Sequence, residues 1–382
     1  MDKLLAARSQ FPVTEHAIYL DLANQSAPPL GVTEELERYH RHASRRGPDK
    51  GANLARLEDV RRQAAAMLHC RPEELAWTKN TSEGLNIAAA GIDFAPGDNV
   101  VLSQFEHPNN TYVWLGLAAK DVEVRIIRPP GDVVTAADFI AAMDGRTRAV
   151  ACSAVSYMPG ERLDLAALSA ACRRQSAYLV VDAVQAIGLV GLDVGGLGLD
   201  MLATSGHKGL LTPHGVGLFF CRRDICPAIR PAFVARSSMS QLTAMEHDAR
   251  DYTYALHEDA RRFEYGNYNY SGISAMGAAL DLLADVGLPA IERHTTALAG
   301  QLIAGLSSLA DRGIEVLTPA KPAERASIVG FRCPDTERVA AELRRAGVVF
   351  TVRRDAIRFG LGLYNTAAEV QRVLEVIGAN LS

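Results

Sequence analysis

Short runs of Val, Leu and Ile recur through the first two-thirds of the chain, each bounded by Gly, Pro or Asp. They are NVVLSQ (99–104), VEVRIIR (122–128), RAVACSAVS (148–156), AYLVVDAV (177–184), LDMLATSG (199–206) and VGLFFCR (216–222). Their length and composition predict strands. Between several of them lie segments with apolar residues at helical spacing, such as TAADFIAAMDG (135–145) and LDLAALSAACRRQS (163–176). Strand–helix–strand alternation predicts an α/β fold whose mostly parallel sheet is covered on both faces. Ligands of such sheets sit at the carboxyl ends of the strands.

The pattern changes after about residue 270. ISAMGAALDLLADVG (273–287) and a stretch from about Ile291 to Ala310 read as helices. They are followed by RASIVGFRC, a helix at DTERVAAELRRAG, a strand pair around GVVFTV and AIRFGL, and a last helix at TAAEVQRVLEVIGANL. This predicts a large unit over 18–270 and a smaller C-terminal α+β unit over 271–382, with residues 1–17 packing on the smaller one. The stretch 230–262 is polar and aperiodic, the mark of a long functional loop.

Composition narrows the classes. Of 382 residues, 48% are hydrophobic and 22% charged, and 40 Lys+Arg against 44 Asp+Glu leave a net charge of −4. That is a globular balance with no electrostatic case for nucleic acid or anionic membranes. No apolar run reaches the ~18–20 residues of a membrane span. MDKLLAARSQFPVTEHAIYL has no signal-peptide core, and six cysteines fall at irregular spacing without a CxxC pair. A reducing, cytoplasmic setting is expected. Ten histidines show no HExxH or comparable spacing, so no metal is expected.

Two segments carry chemistry. In TSGHKGLLTPHGVGLFF (204–220), Lys208 follows a predicted core strand directly. An amine at that strand end is poorly hydrated, loses proton affinity, and can form a Schiff base with an aldehyde. In YLVVDAVQAIG (178–188), Asp182 ends an apolar strand, where a carboxylate needs a partner. A lysine and a carboxylate together suit pyridoxal 5'-phosphate, whose ring nitrogen requires an anion opposite it.

With these segments the chain resembles the class V aminotransferase family of pyridoxal-phosphate enzymes, fold type I. That group contains cysteine desulfurases, selenocysteine lyases, isopenicillin N epimerases and C–S lyases. The resemblance runs from IYLDLANQSAPP (18–29) to IRFGLGLYNT (357–366). It implies that Lys208 holds the cofactor aldehyde, Asp182 pairs with the ring nitrogen and Gln185 donates to the phenolic oxygen. Thr81 and Ser82 of NTSEGLNIAAAG, preceding a helix whose dipole favours an anion, would bind phosphate with Ser205 and His207. His107 of SQFEHPNN would stack on the ring. Arg358 would bind the substrate α-carboxylate, with Asn24 approaching the same group. The resemblance also implies a homodimer with shared active sites.

Three departures bear on the reaction. Asn267 of FEYGNYNYSG stands where relatives carry a threonine that reaches the neighbouring subunit's phosphate. Tyr157 of SAVSYMPG stands where relatives often have an asparagine; its phenol can donate to the phenolic oxygen or meet substrate. Desulfurases carry a nucleophilic cysteine on a loop before the carboxylate arginine, whereas GVVFTVRRDAIRF (347–359) is short and has none. The expectation is a C–S lyase performing β-elimination on an S-substituted cysteine rather than a persulfide-forming desulfurase. The alternatives are an aminotransferase, or an epimerase or decarboxylating-oxidative variant. Tyr252, Tyr254, Tyr265, Tyr268 and Tyr270 are candidates to line a pocket for a bulky substituent.

Overall fold

The computed structural model describes residues 3–242 and 253–381. Helices α1 (Lys3–Arg8), α2 (Leu30–Arg46) and α3 (Lys50–Leu68) precede a seven-stranded sheet. Its strands are β1 (Leu75–Thr78), β2 (Asn99–Ser103), β3 (Glu123–Ile127), β4 (Thr147–Ser153), β5 (Tyr178–Asp182), β6 (Met201–Ser205) and β7 (Gly217–Cys221). Helices α4 (Thr81–Gly91), α5 (Pro108–Leu115), α6 (Ala136–Ala142) and α7 (Leu165–Arg174) alternate with the first five. The spatial order is β1-β7-β6-β5-β4-β2-β3. Strands β2 to β6 run parallel to one another, and β7, next to the edge, pairs antiparallel with both β6 and β1. Every strand expected in this region is present; β1 is an addition, being only four residues long.

Both faces of the sheet are apolar. In β4, Val150 and Cys152 join the core under α3 and α7, while Ala149 and Ala151 join the core under α4. In β5, Leu179 and Val181 face the first core and Val180 the second. Alternate residues meet opposite but equally dry layers, which is why the strands read as continuous apolar runs.

The C-terminal part contains α8 (Tyr270–Val286), α9 (Leu288–Ser307), β8 (Glu315–Val316), β9 (Ile328–Arg332), α10 (Thr336–Arg345), β10 (Thr351–Arg353), β11 (Ala356–Gly360) and α11 (Ala367–Ala379). Its antiparallel sheet, ordered β8-β9-β11-β10, packs Phe331 and Phe359 against Leu302 and Leu306 of α9, Leu343 of α10 and Val373 of α11. The hydrophobic cores do not divide at the expected 270/271 position. Helix α8 buries Ile273, Met276, Ala279, Leu280 and Leu283 in the first core. The change of core falls within α9, where Ile291 belongs to the large cluster and Leu298 to the small one. Helix α8 is apolar on nearly every side, so it needs a partner on nearly every side.

Residues before 18 do not pack on the smaller unit alone. Phe11 is buried in the large core and Lys3 pairs with Asp285 of α8, while Arg8 pairs with Glu369 of α11. From there a strap runs inward. Ile18–Tyr19 pairs in parallel with Val348–Val349, Asp21 bridges to Gly360, and the Ser26 N–H donates to the His207 carbonyl at 2.9 Å. In the stretch 230–262, Met239–Leu242 and Tyr254–Leu256 form a short antiparallel pair; Tyr252 lies outside the described residues. No single helix among the described residues is long and apolar enough to cross a membrane.

Candidate active site

Asp182 is the last residue of β5, and Lys208 follows β6 by three residues. The two strands are parallel neighbours, so their exit loops lie side by side. They touch through glycines. A Cβ on Gly209 would stand 2.0 Å from the Ile187 carbonyl oxygen, and one on Gly188 2.2 Å from that of Gly209. Only glycine permits this approach.

Asp182 is 4% exposed and accepts the Val184 N–H at 2.9 Å. Burial pushes its carboxyl up to about 6, against the pull of Val184 and of Lys208. Lys208 is 9% exposed, and among the described residues its Nζ has no hydrogen-bond partner. Burial lowers it to about 8; Asp182 opposes this, while Arg358 and Arg353 reinforce it. The result is an amine part-neutral near neutral pH, beside an acid able to hold a cation's charge.

The N-terminus of α4, the helix end whose dipole favours an anion, faces Ser205. Asn80 caps the helix through the Glu83 N–H. Thr81 and Ser82 are its first two residues, within the helix rather than before it. The Ser205 hydroxyl sits against this end, accepting the Thr81 N–H at 2.7 Å and 2.9 Å from Thr81 Oγ1. His207 holds the strap through its carbonyl, and its ring stacks on His214 at 4.2 Å. Burial, with the Lys208 charge next, lowers His207 to about 4, so its ring is neutral.

Between these ends stand His107, Tyr157 and Gln185. His107 caps α5, its Nδ1 accepting the Asn109 N–H at 3.2 Å. Burial, then Lys208, Arg353 and Arg358, lower it to about 4. The ring is therefore neutral, with Nδ1 as acceptor and its proton on Nε2. Tyr157 stands edge-on to it at 5.2 Å. Gln185 gives one Nε2 proton to the Ala23 carbonyl at 2.8 Å, leaving its second proton free, and its Oε1 is buried without a partner.

Arg358, in β11, is 1% exposed. Its Nη1 donates to the Tyr157 carbonyl at 3.0 Å, whereas Nε and Nη2 are buried without partners. Burial lowers it to about 10, with Arg353 adding and Asp21 opposing. A buried guanidinium with two idle donors matches the fork of a carboxylate. Asn24 is exposed nearby on the strap, donating to Asp21 at 3.2 Å.

Arg353 and Glu106 were not expected from sequence. Arg353 is an ordinary exposed residue until the β10–β11 pairing sets Thr351 opposite Arg358 two positions away. Glu106 gains meaning only from its burial beside Ser153. The tyrosines do not form one wall. Tyr265 and Tyr268 line a cleft of about 460 Å³ with Asn267, Thr78, Lys79 and Gly215. Tyr254 is exposed, and Tyr270 packs on Tyr268.

The set fits pyridoxal phosphate: an amine for an aldehyde, a buried acid for a ring nitrogen, hydroxyls at a helix N-terminus for a phosphate. The comparisons agree. The family model described as Aminotransferase class-V matches residues 18–373. An uncharacterized aminotransferase of Schizosaccharomyces pombe is 30% identical over 98% of this chain and 95% of its own. A cysteine desulfurase of Klebsiella pneumoniae is 30% identical over 96% and 95%. Among solved structures, the apo cysteine desulfurase of Thermococcus onnurineus NA1 superposes with a TM-score of 0.87 at 26% identity, over 98% and 97% of the two chains. A cystine C–S lyase in complex with cysteine persulfide superposes with a TM-score of 0.86 at 23% identity, over 98% and 100%, a likeness of fold. The chain belongs to the class V aminotransferase family and is a pyridoxal-phosphate-dependent enzyme.

Proposed function

We propose that this enzyme is a C–S lyase that carries out β-elimination on an S-substituted cysteine, releasing a thiol, pyruvate and ammonium. The observation that carries the reading is the β10–β11 hairpin. Only Arg354 and Asp355 separate the two strands, and Asp355 is tied to Arg332 at 2.9 Å. The turn before Arg358 is thus too tight for a mobile loop and has no thiol. A desulfurase route through a persulfide on the enzyme needs a reactive thiolate, which arises where a thiol's proton affinity is depressed. Here burial pushes Cys70 and Cys172 up to about 12 and raises Cys152, Cys221 and Cys333 as well.

When bound, pyridoxal phosphate supplies an electron-accepting ring that makes the substrate Cα–H acidic. The chain does the rest. Thr81, Ser82, Ser205 and His207 would hold the phosphate. Asp182 would hold the proton at the ring nitrogen, with His107 against the ring. Gln185 and the Tyr157 phenol would donate to its phenolic oxygen. Arg358 grips the α-carboxylate through Nε and Nη2, and Asn24 flanks that group. Nζ of Lys208 takes the proton from Cα; loss of the thiolate from Cβ follows. Asn267 is exposed in its cleft and so accessible to a second subunit; with the family resemblance, this supports a homodimer with shared sites.

The test is incubation of the holoenzyme with S-substituted cysteines and with free cysteine, with products identified by mass. Thiol and pyruvate in equal amounts support the reading. Alanine with sulfide overturns it in favour of desulfuration, and an oxo acid matched by a pyridoxamine form overturns it in favour of transamination.

A further inference from the structure

Glu106 has no part in the mechanism above, yet it is 6% exposed and has no salt-bridge partner among the described residues. Its Oε1 accepts the Ser153 N–H at 2.9 Å. Its Oε2 accepts the Ser153 hydroxyl at 2.6 Å and Nδ2 of Asn110 at 2.7 Å. Asn110 continues the chain, its Oδ1 accepting Nε1 of Trp114 at 3.0 Å. The carboxylate therefore ties the end of β4 to the first turn of α5, the helix that His107 caps. Ser153 is in register with Asp182 across β4 and β5, so the two acids share one end of the sheet.

Among the described residues, the groups facing Glu106 are Asp182 from β5, Cys152 and Ser153 from β4, Asn110 from α5 and Glu161 from the loop after β4. None is a cation. Burial pushes Glu106 up to about 7; the bonds from Ser153 and Asn110 oppose this, and Asp182 adds to it. A buried acid without a counter-ion is a costly clamp if clamping is all it does. Its charge becomes useful beside a positive group, and the proton that Asp182 holds at the ring nitrogen is that group.

We propose that Glu106 is a positioning residue of the active site: it fixes His107 through α5 and places a second negative charge behind Asp182, favouring the protonated cofactor. This rests on the ring orientation given under the proposed function and not on which bond is cleaved.

Glu106→Gln keeps the size and the Ser153 N–H bond, removes the charge, and leaves Asn110 Nδ2 without its acceptor. The absorbance of the bound cofactor is titrated against pH without substrate. Removing an anion disfavours the cationic form, so the midpoint is expected to fall by about 0.5–1 pH unit. An unmoved midpoint in a variant that retains the cofactor overturns the proposal. If Glu106→Gln does not retain it, Glu106→Asp decides, since it keeps the charge and shortens the reach. Its midpoint is expected within about 0.2 unit of the parent, with a lowered kcat; a fall as large as about 0.5 unit overturns the proposal. Transamination products with the midpoint shift intact would overturn the C–S lyase reading and leave this inference standing.

Discussion

On the large-sheet side of the site, most polar groups already engage the chain, with Lys208 Nζ and Gln185 Oε1 as the exceptions among the described residues. Ser205 takes the Thr81 N–H, Asp182 takes the Val184 N–H, and Gln185 holds Ala23. On the small-sheet side, Arg358 keeps two buried donors idle, and the neighbouring Arg353 is exposed. The first side is preorganised for a group that stays. The second spends stability on groups that only an arriving molecule satisfies. Of the three departures from the family pattern, the short 347–359 hairpin lies on the small-sheet side, whereas Tyr157 and Asn267 belong to the large-sheet side.

This contrast can be broken in four ways. Lys208→Ala should cost at least about 10³-fold in kcat and abolish the cofactor's covalent absorbance band, read by spectrum and assay. Arg358→Ala should lower kcat/KM by about 10²–10³-fold while the absorbance band persists; loss of the band would join the two sides into one. A third test reads stability in the cofactor-free protein. Lys208 has a folded value of about 8, below its ordinary 10.5. It therefore burdens the fold fully below about pH 8 and is relieved as pH rises toward 10.5. Lys208→Met should be more stable than the parent at pH 7 by about 2–3 kcal/mol in denaturant melts, with the gap closing between those two pH values. The smallest effect is Ser205→Ala, which should weaken cofactor affinity about 10-fold and leave KM for substrate nearly unchanged, measured by cofactor titration.

The central strands were legible because each is buried on both faces and so leaves an apolar run. Helices α2 and α3 were not. In α3 the inward face includes Arg61, 2% exposed and paired with Glu264 at 2.7 Å, so a charged residue occupies a core position and blurs the period. The partner lies 203 residues away, beyond any local pattern. Helix α8 was read correctly as a helix, but its allegiance to the large core depends on α2 and α3. In the site, Lys208 and Asp182 were legible because Asp182 ends an apolar strand and Lys208 closely follows one. Glu106 and Arg353 were not, since an acid before His107 and an arginine in a hairpin look like ordinary surface residues until burial and register bring them in.

The meeting of Gly188 and Gly209 has a consequence for how such an enzyme can change. Main chain rests on main chain there, with no side chain as a spacer, so the gap between acid and amine is a fixed gauge that drifting neighbours cannot reset. The hairpin beside Arg358 is free of that gauge. Chemistry and choice of substrate can thus evolve on separate clocks.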